Sequence, residues 1–228
     1  MKKLEEIFGI AIDNPENFIR ALTHPSYTKD LNDDYIECYE RLEFLGDAVL
    51  KLVISDILFK KFPTSPEGKM SKIRSIIVSD AMLAKISKNL GLNELIRVAK
   101  HEEKQGCKNL ESVVACSFEA LLGAFYLDGK FENIKEFINI NFEKYMEDIE
   151  NHVENYNAKA VLQEYTQGIK QDRPEYIVKG ESGPAHNKTF TVEVLWEGTV
   201  LACGEGKTKK EAEQNAALKA CKNLGVIK

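Results

Sequence analysis

The sequence has no apolar run approaching the length of a membrane span, and its opening, Met1-Lys2-Lys3-Leu4-Glu5-Glu6, lacks the hydrophobic stretch of a secretory leader. The expectation is a cytoplasmic protein with no membrane partner. No C-x-x-C pair occurs, and the five cysteines, Cys38, Cys107, Cys116, Cys203 and Cys221, are odd in number. That argues against a disulfide framework and against a zinc site. Nor is there a basic excess: the net charge is −5 over 228 residues, so overall charge does not advertise a polyanion as partner.

What is present is unevenly placed. Residues 158–228 carry 11 Lys and Arg against 9 Asp and Glu, whereas residues 1–157 carry 20 against 27. The 43% hydrophobic content is ample for one core of ordinary size and a second, smaller domain. Up to about residue 149 apolar positions recur at three and four residues, through Glu40 to Phe62, Met70 to Leu90, Leu110 to Leu127 and Phe131 to Tyr145, and no strand pattern is seen. Residues 150–157 are polar and read as an aperiodic linker. Beyond them the pattern is helix, three strands and helix: Ala158–Gly168, Glu175–Gly180, Lys188–Trp196, Thr199–Gly206 and Thr208–Leu224.

Within the helical part, the run Tyr39-Glu40-Arg41-Leu42-Glu43-Phe44-Leu45-Gly46-Asp47-Ala48-Val49-Leu50 embeds three acids among apolar residues. On a helix Glu40, Glu43 and Asp47 share one stripe. Carboxylates among apolar neighbours are costly to bury unpaired, and oxygen donors suit a hard cation such as magnesium. An acid stripe on an arbitrary helix is usually only a solvated face; the apolar neighbours and Gly46 count against that here. A second apolar run, Val113 to Gly129, holds a single acid, Glu119, until Asp128 near its end.

These two runs together resemble the ribonuclease III family, as do Leu22-Thr23-His24-Pro25-Ser26-Tyr27 and Glu67-Gly68-Lys69-Met70-Ser71-Lys72-Ile73-Arg74. The resemblance implies a multidomain protein with an all-α endonuclease domain at 1–149, a linker at 150–157 and an α+β (α-β-β-β-α) double-stranded-RNA-binding domain at 158–228. It implies an endoribonuclease that hydrolyses double-stranded RNA with Mg2+, for which Mn2+ can substitute. Products with 5′-phosphates and short 3′ overhangs, and roles in rRNA and mRNA processing, follow from the same likeness. Asp47 and Glu119 would be catalytic, with Glu43, Asp47 and Glu119 as metal ligands and Glu40 in the same acidic cluster, paired with a basic side chain. A homodimer through the catalytic domain is implied, with Phe44 and Leu45 at its interface.

One departure stands at Cys116, three residues before Glu119, where the family pattern has an aspartate. A thiol is a doubtful ligand for magnesium and a neutral one removes a negative charge. The alternative function is therefore a catalytically impaired protein that binds double-stranded RNA.

In the second domain the double-stranded-RNA-binding resemblance rests on Gly183-Pro184-Ala185-His186-Asn187-Lys188 and on Gly204 to Ala217. Such domains read the shape of A-form RNA through successive minor grooves and the phosphates between them. By resemblance Gln163, Glu164 and Gln167 would meet one minor groove and His186 the other, and Lys209 and Lys210, at a helix start, the phosphates.

Overall fold

A computed structural model describes residues 1–31, 37–184 and 188–227, with the side chains of Asp30 and Leu31 left aside. The chain divides into two compact units, Met1–Asp148 and Ile149–Lys228.

The first unit is helical. Its elements are α1 (Lys2–Phe8), α2 (Pro15–Ala21), α3 (Pro25–Leu31), α4 (Glu40–Lys61), α5 (Glu67–Ile77), α6 (Asp80–Asn89), α7 (Lys100–Lys104), α8 (Glu111–Leu127) and α9 (Phe131–Tyr156), which runs across the division. The helix boundaries follow local chemistry. Asn14 caps α2 by accepting from the Glu16 amide, with Pro15 in the first turn, where its missing N–H costs nothing. α4 stops at Phe62, the residue before Pro63.

α8 is the centre of the unit: Phe118, Ala120, Leu121, Leu122, Ala124 and Phe125 are all buried. Phe8 and Phe18 reach it from α1 and α2, with ring centroids 4.7 and 4.6 Å from that of Phe125. α4 lies along α8 in the most extensive helix pairing of the unit. The close approach requires two glycines. A β-carbon on Gly46 would overlap the carbonyl of Glu119, and one on Gly123 would overlap the carbonyl of Leu42. The Leu22–Tyr27 motif is a clamp on a neighbouring loop: Thr23 bridges Arg97, the Ala99 amide donates to Ser26 Oγ at 3.1 Å, and Arg97 covers the Tyr27 ring.

The segment expected to be an aperiodic linker is helical through Tyr156, with non-helical backbone at His152. Ile149 and Val153 continue the three-to-four spacing of α9, a periodicity that the surrounding polar residues mask in the sequence.

The second unit contains α10 (Ala158–Ile169), an antiparallel sheet β1-β2-β3 (Glu175–Ser182, Thr189–Trp196, Thr199–Gly206) and α11 (Lys209–Asn223). Val192 and Val194 of the central strand are fully buried. Ala212, Ala216, Ala217 and Ala220 give α11 a small-residue face that meets β3 so closely that a β-carbon on Gly206 would stand 2.5 Å from the Ala212 amide.

Candidate active site and nucleic-acid interface

An open pocket of about 550 Å³ on the first unit is lined by Glu40, Glu43, Phe44, Asp47 and Lys51 from α4, Val78 and Asp80 beside the start of α6, and Glu119 from α8. Glu43 and Asp47 lie one turn apart, and the glycine before Asp47 is the point at which α4 touches the backbone of Glu119. The crossing of the two helices therefore delivers carboxylates from both into one space.

The electrostatics reflect crowding of like charge. The Glu119 carboxyl is pushed up to about 8, first by burial and then by Asp47, Glu43 and Asp80, with Lys51 acting in the opposite sense. Glu43 is also raised, mainly by burial. Lys51 Nζ stands 2.7 Å from Asp47 Oδ2 and is the positive group among the pocket's lining residues. Oxygen donors with this uncompensated charge fit a hard divalent cation. Among the described residues no three such donors close around a single point as they stand; the pairing of Asp47 with Lys51 holds one of them.

Cys116 is half-buried, and its thiol lies near enough to Glu43 to favour the charged carboxylate against the effect of burial. Burial, Glu43, Glu119 and Asp80 together raise its titration far above the ordinary thiol range, so it stays a neutral S–H. It supports Glu43 without adding charge. Glu40 lines the pocket too, but its contact is the Cys38 thiol, 3.9 Å from Oε2. The basic partner expected for it is not found among the described residues.

Asp80 is the pocket carboxylate that the sequence did not single out. Ser79 caps α6 by accepting from the Met82 amide, and an acid just after a cap reads as ordinary helix-start chemistry.

On the second unit, Thr208 and Glu211 form a reciprocal cap: the Glu211 amide donates to Thr208 Oγ1 at 3.1 Å and the Lys207 amide to Glu211 Oε2 at 2.6 Å. Lys209 and Lys210 thus occupy the first two helical positions of α11, both exposed, with Lys209 Nζ 5.9 Å from the centre of the Phe190 ring. On α10 Leu162 and Thr166 face inward, while Gln163, Glu164 and Gln167 lie toward solvent, Gln163 Nε2 meeting Gln167 Oε1 at 3.5 Å. His186 lies outside the described residues.

Two family models match the chain. Residues 14–147 match a model described as ribonuclease-III-like, and residues 158–224 match the double-stranded RNA binding motif. Ribonuclease 3 of Natranaerobius thermophilus is 41% identical over 216 residues, covering 94% of this chain and 92% of its own. Ribonuclease 3 of Listeria innocua is 38% identical over 224 residues, covering 98% and 97%. Among solved structures, the nuclease domain of ribonuclease III from Campylobacter jejuni superposes with a TM-score of 0.57 at 38% identity, covering 63% of this chain and 96% of that one.

Proposed function

This chain belongs to the ribonuclease III family and is an endoribonuclease of double-stranded RNA, and we propose that it cuts by a divalent-cation mechanism centred on Asp47 and Glu119. The observation that carries this reading is the convergence of Glu43, Asp47 and Glu119 on one pocket where α4 and α8 touch. These three carboxylates would hold the cation, with magnesium the ion that their oxygens suit and manganese a substitute. A cation bound there supplies an activated water and offsets charge on the scissile phosphate.

The chain's own groups prepare that site. The Cys116 thiol lies near Glu43 and favours its charged form, and Lys51 holds Asp47. In the RNA-binding unit, Lys209 and Lys210 meet phosphates at the start of α11, while Gln163, Glu164 and Gln167 of α10 and His186 lie in minor grooves. Residues 1–149 do the cutting and 158–228 the gripping.

The catalytic unit works as a homodimer. Phe44 is 83% exposed and Leu127 55% exposed, and with Leu42 and Leu45 they line one groove. So large an aromatic left in water beside an apolar groove is the mark of an association surface. Two copies then cut opposite strands, giving 5′-phosphates and short 3′ overhangs. The substrates are precursors of rRNA and mRNA in the cytoplasm, in keeping with the absence, among the described residues, of any helix long and apolar enough to cross a membrane.

A second reading, a duplex-binding protein with disabled cutting, is favoured by one observation: Cys116 stays neutral where a carboxylate would add charge. Single-turnover cleavage of a long RNA duplex in magnesium, beside duplex binding in EDTA, separates the two. Cleavage that Asp47→Asn abolishes supports the enzyme. Tight binding with the same negligible cleavage in both chains supports the second reading.

A further inference from the structure

We propose that Asp80 of α6 is a cation-holding residue of this chain, supplying from a third helix the carboxylate that the cysteine at position 116 removes from α8. The proposal rests on the divalent-cation reading above.

Asp80 lines the same pocket as Glu43, Asp47 and Glu119. Its placement is built in. Ser79, with extended backbone at φ −73° and ψ 147°, starts α6 at the pocket wall, and the buried Met82, Leu83 and Ala84 anchor the first turn, leaving Asp80 exposed. It has no salt bridge among the described residues, whereas Asp47 is engaged by Lys51. It faces the same open space as the α4 carboxylates Glu43 and Asp47 and the α8 carboxylate Glu119.

Cys116 creates the need. A thiol is a poor donor for a hard cation, so α8 brings one carboxylate to the pocket, Glu119. With Asp80 the pocket lining brings together five carboxylates, Glu40, Glu43, Asp47, Asp80 and Glu119. Calcium- and magnesium-type sites gain affinity with each added carboxylate.

The test is manganese titrated by calorimetry into the full, RNA-free chain and into Asp80→Asn, Cys116→Asp and the double variant, which needs no turnover. Asp80 is exposed and Ser79 does the capping, so Asp80→Asn keeps the fold; far-ultraviolet circular dichroism verifies it. The expected result is affinity weakened about tenfold by Asp80→Asn in the natural chain and by less than about threefold once Cys116 is Asp. Equal losses in both backgrounds, or no loss in either, overturn the proposal. Should the natural chain take up manganese in a way that Asp47→Asn abolishes while Asp80→Asn leaves it intact, Asp80 alone is ruled out. Should the natural chain bind no manganese, the divalent-cation reading fails and this proposal with it.

Discussion

A β-carbon added to Gly46 would overlap the carbonyl oxygen of Glu119, so the contact that seats α4 on α8 is also the contact that sets Asp47 beside Glu119. Gly46→Ala therefore strikes fold and chemistry together. Backbone is the obstacle, so no side chain can swing aside, and the helices must separate. Destabilisation of about 3 kcal/mol or more is expected, at or above the upper end for overpacked cores. Urea unfolding checks it. A loss under about 1 kcal/mol would mean that the crossing is not tight.

The Glu119 carboxyl gives the cation-free protein a pH signature. Its folded value, about 8, lies above its ordinary value near 4.5, so the folded chain holds a proton that the unfolded chain has released. Stability is thus unpenalised below about pH 4.5, falls as pH rises through that window, and bears the full cost above about 8. Allowing for solvent at a half-buried group, the cost is about 1 to 2 kcal/mol, or a few degrees in Tm. Melting in EDTA at pH 6 and pH 8.5 should show the drop, Glu119→Gln should flatten it, and magnesium should reverse it at pH 8.5. A Tm in EDTA that rises over this interval contradicts the assignment.

The sequence marked Glu43, Asp47 and Glu119 as candidates, and the pocket gathers them, because single helices carry their spacing: two share a turn of α4, and the third stands nearly alone among the apolar residues of α8. Asp80 was illegible for the opposite reason. Nothing local distinguishes it from any acid after a serine cap, and only the tertiary placement of α6 brings it to the pocket. The polar stretch after Ile149 hid a continuing helix, because Val153 and Tyr156 are too sparse to establish a period by themselves. Glu40 finds a thiol where a basic partner was expected, a contact with Cys38 that no i, i+4 rule describes. In the second unit the order helix, three strands, helix was legible, since turn residues separate segments of different period.

Phe44, 83% exposed, should govern self-association. Burying such a ring contributes about 2 to 3 kcal/mol per copy, so Phe44→Ala should weaken a symmetric dimer by one to several orders of magnitude. Sedimentation equilibrium reads this directly. An unchanged mass for Phe44→Ala, or a monomeric natural chain at micromolar concentration, would remove this residue from the interface.

Lys209 and Lys210 should contribute charge and not sequence preference. Replacing both by Ala should weaken duplex binding by a similar factor for unrelated sequences and reduce the slope of log affinity against log salt by about 1 to 2. The reciprocal cap of Thr208 and Glu211 preserves the helix, so the loss is not one of folding. Filter binding over a salt series with two duplexes provides the measurement. A loss confined to one duplex would point to base contacts instead.

Cys116 separates two effects that an aspartate would combine, support of Glu43 and negative charge. The thiol provides only a polar neighbour for Glu43. Cys116→Ala deletes that support, and Cys116→Asp adds charge and an oxygen donor. Single-turnover cleavage at low magnesium should therefore rank Cys116→Asp above the natural chain, by about tenfold, and the natural chain above Cys116→Ala, by about threefold to tenfold. Raising magnesium should narrow the first gap, because a site of lower affinity fills at higher concentration, yet leave the second, because concentration cannot restore the thiol beside Glu43. If Cys116→Ala cuts as fast as the natural chain at every concentration, the thiol positions nothing and only its missing charge matters.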